Sequence, residues 1–392
     1  MSMKFIPYTP EGTRDRLFDE CRERRQVQSR LTHLFRSRGY AEIITPEVEF
    51  YDSFVTGGCA IPQEAMLKVI DRSGKICVMR PDSTIPIARV AATKLKDLPL
   101  PQRFYYNQNV YRSSDANRGS DGEVAQCGVE LIGARGVRAD LEMICTAVDA
   151  LRSCGVEQFH IEIGHAGIYR ALASEMQIDD ETAEQIRALI EGKNFAALRA
   201  FLADYGDRPA CAALNQLAYL FGGVEVLDEA EALGSGEEGT IAYLRSLYQL
   251  LSQAGYGDFI RFDLGLVHQI DYYTGVVFRG YVEGAGTAVL SGGRYDRLLE
   301  AFGRPAQAIG FAVDVDAVAA CLPPVCTPAV DTVVYYELSQ LARAIAVVDE
   351  RPRGTCELSP CASLDLTLAL AREKGIPHVL VLDSQGERVV EA

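Results

Sequence analysis

Asp271, Tyr272 and Tyr273 stand side by side in the stretch FDLGLVHQIDYYTGVVFRGY (262–281), between two runs rich in β-branched and aromatic residues. Each phenol offers an apolar face and a polar tip that both donates and accepts, which suits a small polar ligand. A hairpin whose tyrosines are half-buried packing is the competing reading. In PDSTIPIARV, Asp82, Ser83 and Thr84 are cap-type residues ahead of Pro86, so a carboxylate and hydroxyls project at a strand-to-helix corner. Most such corners are only caps. In VAQCGVELIG, Gln126, Gly128 and Glu130 recur at strand spacing and share one face. There a glutamine and a glutamate can solvate a cation or hold an imidazole; on an outward face they would mean nothing. SGGRYD reads as a glycine turn between a strand and a helix that can approach a phosphate, but it matches neither phosphate-binding glycine fingerprint.

The elements that must position these residues follow from periodicity. A long amphipathic helix spans about 17–38, with Val27, Leu31, Leu34 and Phe35 as its apolar stripe and Gly39 as its stop. YAEII is strand-like and runs into Thr45-Pro46, where proline forces an edge or a turn. SGKICVMR reads as a short strand. QRFYYNQNVYR and VAQCGVELIG form a long antiparallel hairpin around the polar loop SSDANRGSDGE, with Arg112 near the loop base. That loop exceeds the roughly 2–5 residues usual for hairpins, and long loops over a sheet are commonly binding loops. A helix over 138–153 and the strand FHIEIG come next. From about 167 to 255 the pattern turns to helix after helix, an expected all-helical insertion, before strands resume through AIGFAVDVDAV. PPVCTP (323–328) reads as a linker. Beyond it a β–α–β–α–β order over 329–392 predicts a small α/β domain with a mostly parallel sheet.

Composition narrows the function. The formal charge is −15, from 54 acids against 39 bases, with no lysine- or arginine-rich block. Such a chain is a poor non-specific binder of nucleic acid, because phosphate neutralisation supplies most of that affinity. Eleven cysteines are scattered without a close pair and the five histidines are dispersed, which predicts free thiols and no metal site. No apolar run is long enough for a membrane span and the opening residues lack a signal-peptide core, so the expected location is the cytoplasm.

With these residues assembled, residues 10–322 resemble class II aminoacyl-tRNA synthetases, and specifically histidyl-tRNA synthetase. PEGTRD resembles that family's opening, and GYAEIITPEVE its motif 1, which builds the dimer interface. RPDSTIPIAR, with FYYNQNVYR and QCGVELIG, resembles the amino-acid pocket and motif 2. LVHQIDYYTG resembles the histidine-specific LVRGLDYYTG, and SGGRYDRL with AIGFAVDVDAV the motif 3 region. The resemblance implies an α+β fold: an antiparallel sheet flanked by helices, with the helical insertion and small C-terminal domain appended. It implies imidazole contacts from Glu130, Tyr272 and Tyr273 and ammonium contacts from Asp82, Thr84 and Gln126. Asp82 stands in for a glutamate and is one methylene shorter.

The departures bear on activity. His268 occupies the position of the arginine that assists carboxylate activation, and Ala317 that of the motif 3 arginine that grips the ATP phosphates. Around the motif 2 loop Arg112 survives as a nucleotide-site remnant. Ser114, Gly122 and Val124 replace a glutamate, an arginine and the adenine-stacking phenylalanine. Adenylate formation shifts negative charge between phosphates, and losing one preorganised donor costs roughly 3–4 kcal/mol. Two missing arginines predict no catalysis, hence no catalytic residue and no cofactor. A kept histidine pocket beside a stripped nucleotide site resembles the ATP phosphoribosyltransferase regulatory subunits, the synthetase paralogues of histidine biosynthesis. That resemblance implies a short-form catalytic phosphoribosyltransferase as partner, activation of it, and feedback by L-histidine. It also implies a homodimeric core within a hetero-oligomer and no tRNA. His268 is expected to contact the ligand carboxylate if protonated, with a structural role as its alternative. A divergent histidyl-tRNA synthetase and a stand-alone histidine sensor are the rival functions.

Overall fold

The computed structural model describes residues 8–55, 62–113, 122–206, 208–232, 239–267, 272–324, 329–352 and 354–392. His268, Asp271, Ser114 and most of the expected linker (325–328) lie outside the described residues.

The first helix, α1 (Phe18–Ser37), buries Val27, Leu31 and Phe35, the stripe its spacing dictates. It ends ahead of Gly39, whose φ of +79° favours glycine. Then come β1 (Ala41–Glu42), β2 (Val48–Phe50), α2 (Asp52–Val55), β3 (Lys68–Ile70), β4 (Ile76–Met79) and α3 (Thr84–Ala92). The hairpin is β5 (Gln102–Tyr111) and β6 (Glu123–Ile132), followed by α4 (Val137–Ser153) and β7 (Phe159–His165). The helical region holds α5 (Ala166–Met176), α6 (Asp180–Glu191), α7 (Phe195–Ala203), α8 (Pro209–Leu217), β8 (Phe221–Gly222), α9 (Val226–Ala232) and α10 (Thr240–Gln253). The chain closes its large unit with β9 (Ile260–Asp263), β10 (Val276–Val282), β11 (Leu290–Arg294), β12 (Ala308–Asp314) and α11 (Val315–Ala320).

Nine strands form one sheet in the order β1-β5-β6-β12-β11-β10-β7-β9-β8. Its middle is antiparallel; β1 with β5 and β7 with β9 are parallel pairs near the edges. A separate three-stranded sheet, β2-β4-β3, leads into α3. One face of the large sheet carries the main core, where Phe35 of α1 meets Tyr105 and Phe311. The other face carries a smaller cluster that includes Tyr106, Tyr272, Tyr273 and Tyr295.

Several expectations change. The two runs of 262–281 are not a hairpin: β9 and β10 lie on opposite sides of β7, one parallel and one antiparallel to it. The first run also stops early, because the Asp263 carboxylate accepts from the Gly265 amide at 3.0 Å and turns the chain. The insertion is not all-helical, since β8 pairs with β9. SGGRYD is no turn; Gly292 and Gly293 lie inside β11, paired on both sides.

The chain divides into two compact units, 1–323 and 324–392. The second holds β13 (Thr332–Tyr336), α12 (Leu341–Glu350), β14 (Cys356–Leu358), α13 (Leu364–Lys374), β15 (His378–Asp383) and β16 (Gly386–Glu391). β13, β14 and β15 are parallel, and an antiparallel edge strand, β16, extends the expected order. α12 packs with the residues on one face of this sheet and α13 with those on the other, as right-handed crossovers to opposite sides of β13 require.

Candidate functional site

Six of the seven expected ligand residues are described, and all six converge. Asp82, Thr84, Gln126, Tyr272 and Tyr273 line one pocket with Arg112, and the Glu130 carboxylate lies behind it, bonded to Thr84. The geometry begins with β6. Its period of 2 aims Gln126, Gly128 and Glu130 at the same face, and register sets Glu130 opposite Gly310 of β12. A Cβ at Gly310 would collide with the Glu130 carboxylate, so the glycine makes room for the acid. Gly128 does the same for the Tyr106 ring, whose hydroxyl lies 2.5 Å from where a Cβ would stand. Gly293 of β11 leaves space for Tyr273, with a Cβ reaching 2.7 Å from the ring. Gly293 thus serves the tyrosine of the opening stretch, while its neighbour Gly292 faces Phe311 and the Phe278 ring.

Glu130 is fully buried with both oxygens engaged: one accepts from the Thr84 hydroxyl at 2.7 Å, the other from the Tyr295 hydroxyl. Burial pushes its acid up to about 8; the two hydroxyls oppose that rise, and the nearby Asp82 adds to it. Asp82 accepts from the Ile85 amide at 2.9 Å, capping α3, and from the Tyr272 hydroxyl at 3.4 Å. Its pKa is also raised, chiefly by burial, with Arg112 among the groups that lower it. Tyr272 packs edge-on against both Tyr273 and Tyr295, with centroids 4.9 and 5.6 Å away. Burial raises all three phenol pKa values, so they are neutral donors and acceptors. Two buried acids among neutral hydroxyls form a site for a ligand carrying N–H donors, whether ammonium or imidazole. The space between these side chains is about 30 Å³, room for about two waters.

Tyr295 and Tyr106 are the residues that the sequence reading missed. Tyr295 stands in the SGGRYD motif, where the glycines drew attention; the signal was a tyrosine one residue beyond a strand end. His268 and Asp271, expected beside the tyrosines, lie outside the described residues.

The far side of Arg112 is built differently. The Arg112 Nε donates to the Pro81 carbonyl at 3.0 Å, and its charge acts on both Asp82 and Asp314. Asp314 caps α11, accepting from the amides of Asp316 and Ala317 at 3.1 and 3.0 Å. Asp316 pairs with Arg16 at 2.9 Å and Arg24 at 3.5 Å. Ala317 ends in a methyl group. Among the described residues no cluster of ligating side chains is arranged for a metal, and no helix is long and apolar enough to cross a membrane.

This architecture has known relatives. A family model described as histidyl-tRNA synthetase matches residues 12–318. An ATP phosphoribosyltransferase regulatory subunit from Clostridium botulinum is 36% identical over 95% of this chain and 91% of its own length. One from Clostridium kluyveri is 42% identical over 79% of this chain and 81% of its own length. A crystal structure of an ATP phosphoribosyltransferase regulatory subunit/histidyl-tRNA synthetase from Bacillus halodurans superposes with a TM-score of 0.86 at 32% identity. That match covers 98% of this chain and all of the other. The large sheet and its helices are therefore a histidyl-tRNA synthetase-like class II fold.

Proposed function

We propose, for a chain that belongs to the ATP phosphoribosyltransferase regulatory subunits of the histidyl-tRNA synthetase-like family, that its pocket binds L-histidine and that it activates no amino acid itself. The observation that carries this reading is the contrast across Arg112. On one side stands a buried acid and phenol set suited to imidazole and ammonium. On the other, the start of α11 presents Asp314, Asp316 and the methyl of Ala317. Adenylate chemistry needs fixed cations where negative charge shifts between phosphates. Here the Arg112 Nε is taken by the Pro81 carbonyl while its charge acts on two carboxylates, and Ala317 at the start of α11 offers no cation.

In this reading Glu130 takes the imidazole, held in place by Thr84 and Tyr295, while Tyr272 and Tyr273 cover the ring. Asp82, Thr84 and Gln126 receive the ammonium, and Arg112 or His268 meets the carboxylate. The chain forms a homodimeric core in the cytoplasm and assembles with a short-form catalytic phosphoribosyltransferase. It activates that partner, transmits inhibition by histidine, and needs no cofactor or tRNA.

The test mixes the purified chain with a short catalytic phosphoribosyltransferase and follows phosphoribosyl transfer to ATP. Activity should appear, or rise strongly, only in the mixture and fall on adding histidine. Histidine-dependent exchange of pyrophosphate into ATP by the chain alone would overturn the non-catalytic reading. Failure of the two chains to associate would overturn the regulatory one.

A further inference from the structure

A second cavity, of about 390 Å³, lies between α1, the stretch joining β1 to β2 and the middle of β5; it shares no lining residue with the tyrosine pocket. Its walls follow from two periods. On α1, Arg24 and Gln28 stand one turn apart on the same side, and on β5, Asn107 and Asn109 stand two apart on the same face. The pairs meet. The Arg24 guanidinium donates to the Asn109 side-chain oxygen at 2.9 Å, and the Gln28 amide to that of Asn107 at 2.8 Å. Arg25 donates to the Gln28 side-chain oxygen at 3.0 Å. Arg16, ahead of α1, and Arg80, just after β4, complete the cationic lining.

Four guanidiniums thus line one space in a chain whose formal charge is −15. Glu47 is the one carboxylate among the lining residues. Asp316 takes up two of the cations, pairing with Arg16 at 2.9 Å and Arg24 at 3.5 Å, and Glu123 accepts from the Asn109 amide nitrogen. Among the described residues no carboxylate bonds to Arg25 or Arg80. Arg80 is buried, and its donors go chiefly to main-chain carbonyls, of Thr45 at 2.8 Å, Pro46 at 2.7 Å and Asn109 at 2.6 Å. Carbonyls supply dipoles but no compensating charge. Burial accordingly pulls the Arg80 pKa below its ordinary value, with Glu47 first among the charges that oppose the shift. A buried cation without a matched anion is costly, and an anion entering beside it gains what the carbonyls do not supply.

We propose that this arginine-lined cavity is a binding site for a small phosphate monoester. Guanidinium forks match phosphate oxygens in geometry as well as in charge. A phosphate monoester carries a charge of about −1.5 to −2 at neutral pH, which balances the two arginines that no acid meets. The cavity is larger than a phosphate group needs. Around the arginines its wall carries the side-chain amides of Asn107 and Gln108 and the Thr45 hydroxyl, groups that both donate and accept and so suit a hydroxylated organic part. The arginines hold the phosphate, and the amides and hydroxyl read what it is attached to.

The experiment titrates the purified full chain calorimetrically, at constant ionic strength, with glycerol 3-phosphate, inorganic phosphate and the monoanion dimethyl phosphate. Glycerol 3-phosphate should bind saturably and several-fold more tightly than inorganic phosphate, and dimethyl phosphate at least about tenfold more weakly. Between about pH 7.5 and 5.5 the affinity for glycerol 3-phosphate should fall several-fold, as the monoester gains a proton near its second pKa of about 6. Arg25 is exposed on α1, so Arg25→Gln leaves the fold intact; it should weaken binding about tenfold, the worth of one charge-assisted hydrogen bond, and Arg25→Lys should recover part of that loss. No saturable binding, equal affinity for dimethyl phosphate, or unchanged affinity in Arg25→Gln overturns the site. Ile44, Thr45 and Glu47 belong to the segment that resembles the dimer-building motif 1, so sedimentation is run beside the titrations. A homodimer weakened by Arg25→Gln, with no phosphate bound by wild type, would assign the arginines to contact between copies and overturn the proposal.

Discussion

The two sides of Arg112 are made from the same sheet, yet they handle charge in opposite ways. On the pocket side, carboxylates are buried and their oxygens are engaged by hydroxyls or an amide: Glu130 by Thr84 and Tyr295, Asp82 by Ile85 and Tyr272. On the α11 side, Asp314 and Asp316 are consumed by helix capping and by pairing with Arg16 and Arg24. Glu130, buried and held only by neutral hydroxyls, still responds to an incoming cation or N–H donor, because no cation is matched to it. Asp316, already matched by Arg16 and Arg24, does not. The difference separates a recognition site from structural scaffolding, although both are rich in carboxylates.

The largest effect that would break this comparison is at Glu130. Glu130→Ala should weaken histidine binding by more than about a hundredfold, since a charge-assisted bond is lost and two buried hydroxyls lose their acceptor; near-wild-type affinity in calorimetry would move recognition elsewhere. Next is proton release. The unliganded Glu130 holds a proton up to about pH 8, and an imidazole N–H favours the ionised form, so binding lowers its pKa. Between about pH 7 and 8 affinity should therefore rise with pH, by at most about tenfold per unit. Binding heats at pH 7 should differ between buffers of unequal ionisation enthalpy, and equal heats would refute the linkage.

A smaller effect concerns stability. The folded-state pKa of about 8 exceeds the ordinary 4.5, so between those values the native protein binds more protons than the unfolded chain. Stability from this group is then lost as pH rises through that window. Glu130→Gln cannot ionise, so its Tm relative to wild type should climb by a few degrees between pH 6 and 9. A constant difference would show that the acid is not perturbed. The smallest effect is at Asp82. Asp82→Glu should change histidine affinity by less than about tenfold, because added reach is offset by loss of the Ile85 cap, worth about 1 kcal/mol. A larger change would make Asp82 the dominant contact.

Most of the site could be seen in the sequence, and for identifiable reasons. Strand periodicity placed Gln126, Gly128 and Glu130 on one face without any knowledge of the partner strands. The run Asp82-Ser83-Thr84 before a proline announced a helix start, and α3 begins at Thr84. Local rules also marked α1, α4 and the β5–β6 hairpin to within a residue or two.

What local rules left open depended on residues far apart in the chain. Tyr295 reaches Glu130 across 165 positions, and nothing near either residue announces the bond. The glycines of SGGRYD looked like a turn because glycine permits one; the flanking strands β10 and β12 decided otherwise and used the missing Cβ atoms as space for rings. The two runs around Tyr272 and Tyr273 looked like a hairpin because they are adjacent in sequence, whereas β7 inserts between them. The sequence by itself determined which side chains are available and which way each strand aims them, because backbone geometry has a short fixed period. Only the tertiary structure decided which acids are buried, which are neutralised, and which tyrosines line the pocket with them. Burial and pairing are properties of assembled neighbours, not of any segment alone.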